Sequence, residues 1–327
     1  MNYARTLATV RREVDRELGP IIQTKVWYVN NSSAIAPGSV PGRDADGYGE
    51  RWDKPFATLD HANNRAFAGE TIVAMEGHAE TVADATTWVP DTDGIKWRAQ
   101  GRGSRRPKIT FTNASGNIPV SGVGVEIHNF FFDVSGSTDV VKGITVSAAD
   151  VFLNRIEMIE TGNTAQFVDG ISCATCARLE VANFRFFGLV GGDATQSAIQ
   201  VTDTSQFVWW HDFVIVGEFV TGGIETGAVL DVVIERMKIE QRHATQDACA
   251  AISTTAKGFM SDCQYRTATN DAAGMDAVTP GGDLQFFDIG IVNFDGEIAA
   301  QHPISDLDVT DNTANTNSPF EFSDMST

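Results

Sequence analysis

Five stretches decide the fold: VEIHNFFF at 125–132, VFLNRIEM at 151–158, LEVANFRF at 179–186, VWWHDFVI at 208–215 and VVIERMKI at 232–239. Each opens on an apolar anchor, and looser copies follow. The anchors Val125, Val151, Leu179, Val208, Val232, Met260 and Leu284 are spaced by 26, 28, 29, 24, 28 and 24 residues. Two residues beyond the anchor the side chain is apolar, except at Asp262. Four beyond, it is always polar: Asn129, Arg155, Asn183, Asp212, Arg236, Gln264 and Asp288. Five beyond, it is always apolar: Phe130, Ile156, Phe184, Phe213, Met237, Tyr265 and Ile289.

An alternation of period two that is interrupted by one polar residue and then resumes describes a strand, a sharp bend and a second strand. Asn or Asp stands at the bend in several copies, and these side chains tolerate left-handed backbone angles. A third apolar segment precedes most anchors, at Ile144, Ile171, Ile199, Ile224 and Ile252. Three short strands cannot bury their apolar face alone, so successive copies must stack. The expected fold is all-β: a right-handed parallel β-helix solenoid of about eight coils. A propeller would need four strands in about 40 residues and a leucine-rich repeat would need regular leucines. A sandwich would not keep one phase-reset pattern through successive copies.

Around this body the sequence divides into four parts. Residues 1–20 read as an N-terminal amphipathic helix with Tyr3, Leu7, Val10, Val14 and Leu18 on one stripe, stopped by Gly19-Pro20. Residues 21–70 hold an opening strand at Val26 to Val29, a Gly, Pro and Ser rich loop, and a capping helix from about Thr58 to Phe67. A helix there would cover the open end of the solenoid. The β-helix body runs over 71–298, and 299–327 form a polar acidic tail.

Net charge is -19, placed unevenly: residues 1–108 carry 15 Lys or Arg against 14 Asp or Glu, and 109–327 carry 9 against 29. Such a body repels phosphates, so no direct nucleic-acid partner is expected. No apolar run of 18 residues is present and the N-terminus lacks a hydrophobic leader, so neither membrane insertion nor export by a cleaved signal is expected. Cys173 and Cys176 form one C-x-x-C, a weak signal alone; with Cys249 and Cys263 they read as buried free thiols. The run Asp44-Ala45-Asp46-Gly47 suggests a calcium loop, yet Pro55 stands where an EF-hand needs its bidentate acid. No metal and no cofactor are expected.

WDKPFATLDHA at 52–62 followed by GETIVAMEGHAETV at 69–82 resembles the N-terminal part of right-handed β-helix proteins of the pectate-lyase-like superfamily. The resemblance implies the fold and leaves function open, because the superfamily holds lyases, glycosidases, phage tailspikes and non-enzymatic virion proteins. The outward residue after each bend reads Phe131, Glu157, Arg185, Val214, Lys238, Arg266 and Gly290; the one after each anchor reads Glu126, Phe152, Glu180, Trp209, Val233, Ser261 and Gln285. Neither column places two carboxylates side by side, and the Arg-x-Pro-x-x-Arg, Asn-Thr-Asp and Gly-His-Gly signatures of the superfamily's enzymes are missing. His128 and His211 share a repeat position three coils apart; Asp203, Asp212 and Glu218 form a loose acidic group. No catalytic residue is therefore assigned.

Of the consecutive Trp209 and Trp210 one must face outward, and the register makes it Trp209, beside Val233. A short solenoid with a helical arm looks like β-helix proteins of tailed bacteriophage virions. That resemblance implies a homotrimer on the virion surface, made in the host cytoplasm, whose partners are its own copies and a major capsid or other virion protein. Capsid decoration is the first expectation, a tailspike the second, and a polysaccharide lyase or glycoside hydrolase the third. Tyr3, Leu7, Val10, Val14, Leu18, Trp209 and Val233 are the expected interface residues.

Overall fold

In the computed structural model, residues 25–31 and 41–267 are described apart from 137, 162–163, 190–194, 203–204, 244–248 and 254; beyond them only the strands Val278–Thr279, Asp283–Phe287 and Gly290–Asn293 are. The N-terminal helix, with Tyr3, Leu7, Val10, Val14 and Leu18, and the tail 299–327 lie outside the described residues.

The chain winds into a parallel β-solenoid of about seven turns, the right-handed β-helix class that the repeats imply. One 17-stranded sheet supplies both arms of each bend, and a 7-stranded sheet closes the coil. In the first arm Glu126–His128, Phe152–Asn154 and Ala177–Ala182 stack in register, Leu153 pairing with Ile127 on one side and Val181 on the other. In the second, Phe131–Val134, Glu157–Glu160 and Arg185–Phe187 do the same. The third wall stacks Val140–Val146, Phe167–Cys173, Ser197–Val201, Ile224–Thr226 and Ala250–Ile252.

The polar bend residues take left-handed backbone angles: φ is 66° at Asn129, 55° at Arg155, 53° at Asn183, 62° at Asp212 and 53° at Arg236. Each bend hands its backbone N–H to the next coil, Asn129 to the Asn154 carbonyl at 2.9 Å and Arg155 to that of Ala182 at 3.0 Å. A second left-handed column lies immediately before the anchors, at Gly94, Gly124, Asp150, Arg178 and Phe207, and the repeat pattern gave no sign of it.

Inside, the residues five and seven after the anchor form an aromatic stack. Phe130, Phe132, Phe184, Phe186 and Phe213 are all buried, and Trp88 lies 5.1 Å from both Trp97 and Phe130. Rings of this size dominate core energetics, and their tilted and edge-on contacts add to the burial itself.

The sixth copy corrects the sequence reading. Val232 pairs with Gly258 and Ile234 with Met260, so the anchor is Gly258, the bend is Asp262 at φ 54°, and Lys238 neighbours Gln264 rather than Arg266. The apolar pattern slid two residues because the true anchor has no side chain. Gly258 has φ 144°, and a Cβ there would sit 1.9 Å from the Val232 carbonyl oxygen.

A second correction concerns the cysteines. Cys173 and Cys176 are joined by a disulfide, because the corner between Phe167–Cys173 and Ala177–Ala182 brings their Cα atoms to 6.2 Å. Cys249 and Cys263 are buried thiols outside any disulfide, as expected.

At the N-terminal end the strand Val26–Val29 pairs with Thr71–Ala74, and the helix Leu59–Arg65 packs over it, shorter than the sequence suggested. Thr58 caps the helix by accepting from the His61 N–H at 3.2 Å. The acidic loop beside it has structural partners: Asp44 accepts from the Ala57 N–H and the Thr58 hydroxyl, Asp46 pairs with Arg65, and Glu50 pairs with Lys25.

Candidate functional site

The outer surface of the long sheet is laced by ion pairs that run from coil to coil. Lys96 and Arg98 both meet Glu126, at 3.2 and 2.5 Å, and hold its carboxyl below the usual range although burial pushes the other way. Arg106 meets Glu157 at 2.7 Å, Lys108 meets Asp133 at 2.6 Å, Arg178 meets Asp150, and Arg236 meets Asp212 at 2.9 Å.

Both histidines singled out in the sequence belong to these chains. His128 contacts Glu126 at 3.1 Å, and burial with the Arg98 charge lowers its pKa. His211 lies between Asp212 at 2.7 Å and Glu180 at 3.3 Å. Trp209 pairs in register with Val233, and both are half-buried; the Trp209 ring lies 4.5 Å from the His211 ring and its indole N–H donates to Glu235 at 3.0 Å. Asp212 is taken up by Arg236 and His211, Glu218 is buried, and Asp203 lies outside the described residues.

The sequence columns covered only two walls of the coil, and the third carries a polar cluster they missed. Along the 7-stranded sheet one register column reads Lys142, Asp169, Ser197 and another reads Thr145, Ser172, Gln200, Glu225. Asp169, Ser172 and Ser197 are buried, and Asp169 has Ser197 and Gln200 as its polar neighbours on the next coil. Burial pushes the Asp169 carboxyl up to about 6; the Lys142 charge opposes the shift and the Glu225 charge adds to it. Burial raises Glu225 as well. A carboxyl that exchanges its proton near neutrality, electrostatically linked to a second one, is chemically able to act as a general acid or base. The strands of Asp169 and Glu225 are separated by one other, or ~10 Å along the axis.

The second feature is a groove of about 980 Å³ along the bends, walled on one side by the loop GRGSRRP at 101–107. Five cationic side chains line it: Arg102, Arg106, Lys108, Arg155 and Arg185. The signal was present in the sequence as the basic loop. Only the stacking of coils brings Arg155 and Arg185 to it from 50 and more residues away.

Among the described residues no group of three or more His, Cys, Asp or Glu side chains is placed to hold a metal ion, and no helix is long and apolar enough to cross a membrane. Compared with known proteins, the chain matches no family, no curated protein and no solved structure.

Proposed function

We propose that this chain is a structural protein of a tailed-bacteriophage virion, a homotrimer that decorates and stabilises the capsid. One observation carries the reading: ion pairs on the outer face of the long sheet run between neighbouring coils, as Lys96 and Arg98 do with Glu126 and Arg106 does with Glu157. That arrangement stiffens a rod along its axis, and several charges linked in a network stabilise more than isolated surface pairs do. In this reading the sequence 1–20 supplies the attachment or trimer contact through Tyr3, Leu7, Val10, Val14 and Leu18. Light scattering on the purified full-length chain tests it: a mass three times that of the 35.3 kDa chain supports the reading, and a monomer at micromolar concentration sinks it.

A polysaccharide-cleaving enzyme is the second reading, favoured by Asp169 and Glu225 on the 7-stranded sheet. Release of new sugar ends from acidic polysaccharides by the native chain, abolished by Asp169→Asn, would replace the structural role. Without such release the enzymatic reading falls.

A further inference from the structure

We infer that a cationic stripe running from the last described strand to the groove along the bends is the docking site for the acidic segment at 306–324 of the same chain. The partner is internal and is the same wherever the chain assembles.

The stripe follows one register column of the long sheet. From the C-terminal end the column reads Gly290, Gln264, Lys238, Val214, Arg185, Glu157 and Phe131. Lys238 and Arg185 are exposed and have no carboxylate within ion-pair distance among the described residues. The same holds for the bend residue Arg155 and the loop residue Arg102, which carry the stripe into the groove. Two carboxylates also line the groove, and both are already taken: Glu157 by Arg106 at 2.7 Å and Asp212 by Arg236 at 2.9 Å. Glu240, on the strand of Lys238, is held by Arg242 at 2.8 Å. Four cations thus lack a counter-charge along one strip of a chain whose net charge is -19. Like charges gathered on one strip repel until an anion joins them.

The sequence supplies that anion. Residues 299–327, which lie outside the described residues, hold Asp306, Asp308, Asp311, Glu321 and Asp324 and no Lys or Arg. The chain reaches this segment from the strand Gly290–Asn293, where the column begins. Six steps of ~4.8 Å take the column from Gly290 to Phe131, or ~29 Å. About nine extended residues cover that distance, and 34 follow Asn293. A short tether keeps the segment at high effective concentration, so several individually weak ion pairs suffice to hold it. Guanidinium forks take carboxylates through paired, charge-assisted hydrogen bonds.

The far end of the groove suits the same segment. Phe131 is half-buried there with the Arg106 and Lys108 charges 5.5 and 5.9 Å from its ring, and the run PFEF at 319–322 carries one carboxylate between two aromatic rings. A ring against Phe131 and a carboxylate on a neighbouring arginine use both features together. Asn129 spends its side-chain N–H groups on the Ala99 and Gly101 carbonyls at 2.9 and 3.1 Å, so Oδ1 is left to accept from a peptide N–H. The strands beneath pair on both sides, so side chains make the contact and strand addition does not. A long nucleic acid would leave the stripe and meet the acidic body.

The test is carbodiimide cross-linking of the full-length chain at low and high salt, with peptide mapping of the monomer band from a denaturing gel. The reagent joins a lysine amine to a carboxylate it touches, so Lys238 is the reporter and the Lys108–Asp133 pair at 2.6 Å is the internal control. A link from Lys238 to a carboxylate of 306–324, lost at high salt and reduced about threefold or more in the Arg155→Asn, Arg185→Gln double variant, supports the docking. Asn keeps the left-handed bend, and circular dichroism with Tm checks the variant's fold. No such link at low salt while the control link forms, a link indifferent to salt or to the two substitutions, or a link found only in a dimer band, where a second copy gives the segment, overturns it.

Discussion

His78 and Glu80, both buried and two residues apart, lock the first coil to the capping helix. The Asn31 N–H donates to His78 Nδ1 at 3.2 Å, which makes Nε2 the protonated nitrogen, and it meets Glu80 Oε2 at 3.1 Å. The same Glu80 oxygen accepts the Leu59 N–H at 3.0 Å at the start of the helix, and Asn31 Oδ1 returns to accept from Ala79. The GHAET segment at 77–81 is therefore a clasp between strand, helix and coil.

Replacing His78 by Leu removes a donor and an acceptor while leaving the Glu80 carboxylate buried. A loss of about 1–3 kcal/mol is expected in urea denaturation, since a buried group deprived of its partner retains its desolvation cost. A variant as stable as the parent would show that water replaces the imidazole.

Gly258→Ala should be among the most damaging single changes in the body. The new Cβ would overlap the Val232 carbonyl, whose coil cannot retreat without breaking its own ladder. A loss of at least ~2 kcal/mol is expected. Gly47→Ala is the control: φ is 81° there, but nothing lies within 4 Å of the added carbon, so only the conformational cost of about 1 kcal/mol remains.

Asp169 gives stability an acid-side signature. Its folded pKa of about 6 lies above the value of 3.8 for the free side chain, so the folded state binds the proton more tightly. This carboxyl costs stability above pH 6, and the cost is relieved as pH falls from about 6 towards 4. Asp169→Asn should raise stability at pH 7 and remove that part of the pH dependence, measured as denaturation midpoints between pH 4 and 8. A pH profile unchanged by the substitution would mean that water reaches Asp169 freely.

Phe207 occupies a left-handed position at φ 52°, and the residue is 43% exposed. In earlier coils the same column holds Gly94, Gly124 and Asp150. Phe207→Gly relieves a penalty of roughly 1 kcal/mol per residue, so Tm should rise or hold. A clear fall in Tm would instead show that the ring packs for stability.

The sequence by itself determined the solenoid. Period-two alternation, the polar bend at 129, 155, 183, 212 and 236, and the return of both every 24 to 29 residues are local signals, written by the need of each short strand to hide one face. It could not place the sixth copy, because Gly258 has no side chain to reveal the anchor. It also missed the left-handed column before the anchors, where Gly, Asp, Arg and Phe share a backbone angle and no chemistry. The tertiary structure alone decided what meets what between coils: Asp169 beside Ser197 on the third wall, Glu157 turned to Arg106 and away from Arg185, and Arg155 brought to the groove along the bends. The physical reason is that coils differ in length. A register between stacked strands depends on how much chain each loop takes up, and that is settled by pairing and packing across the coils.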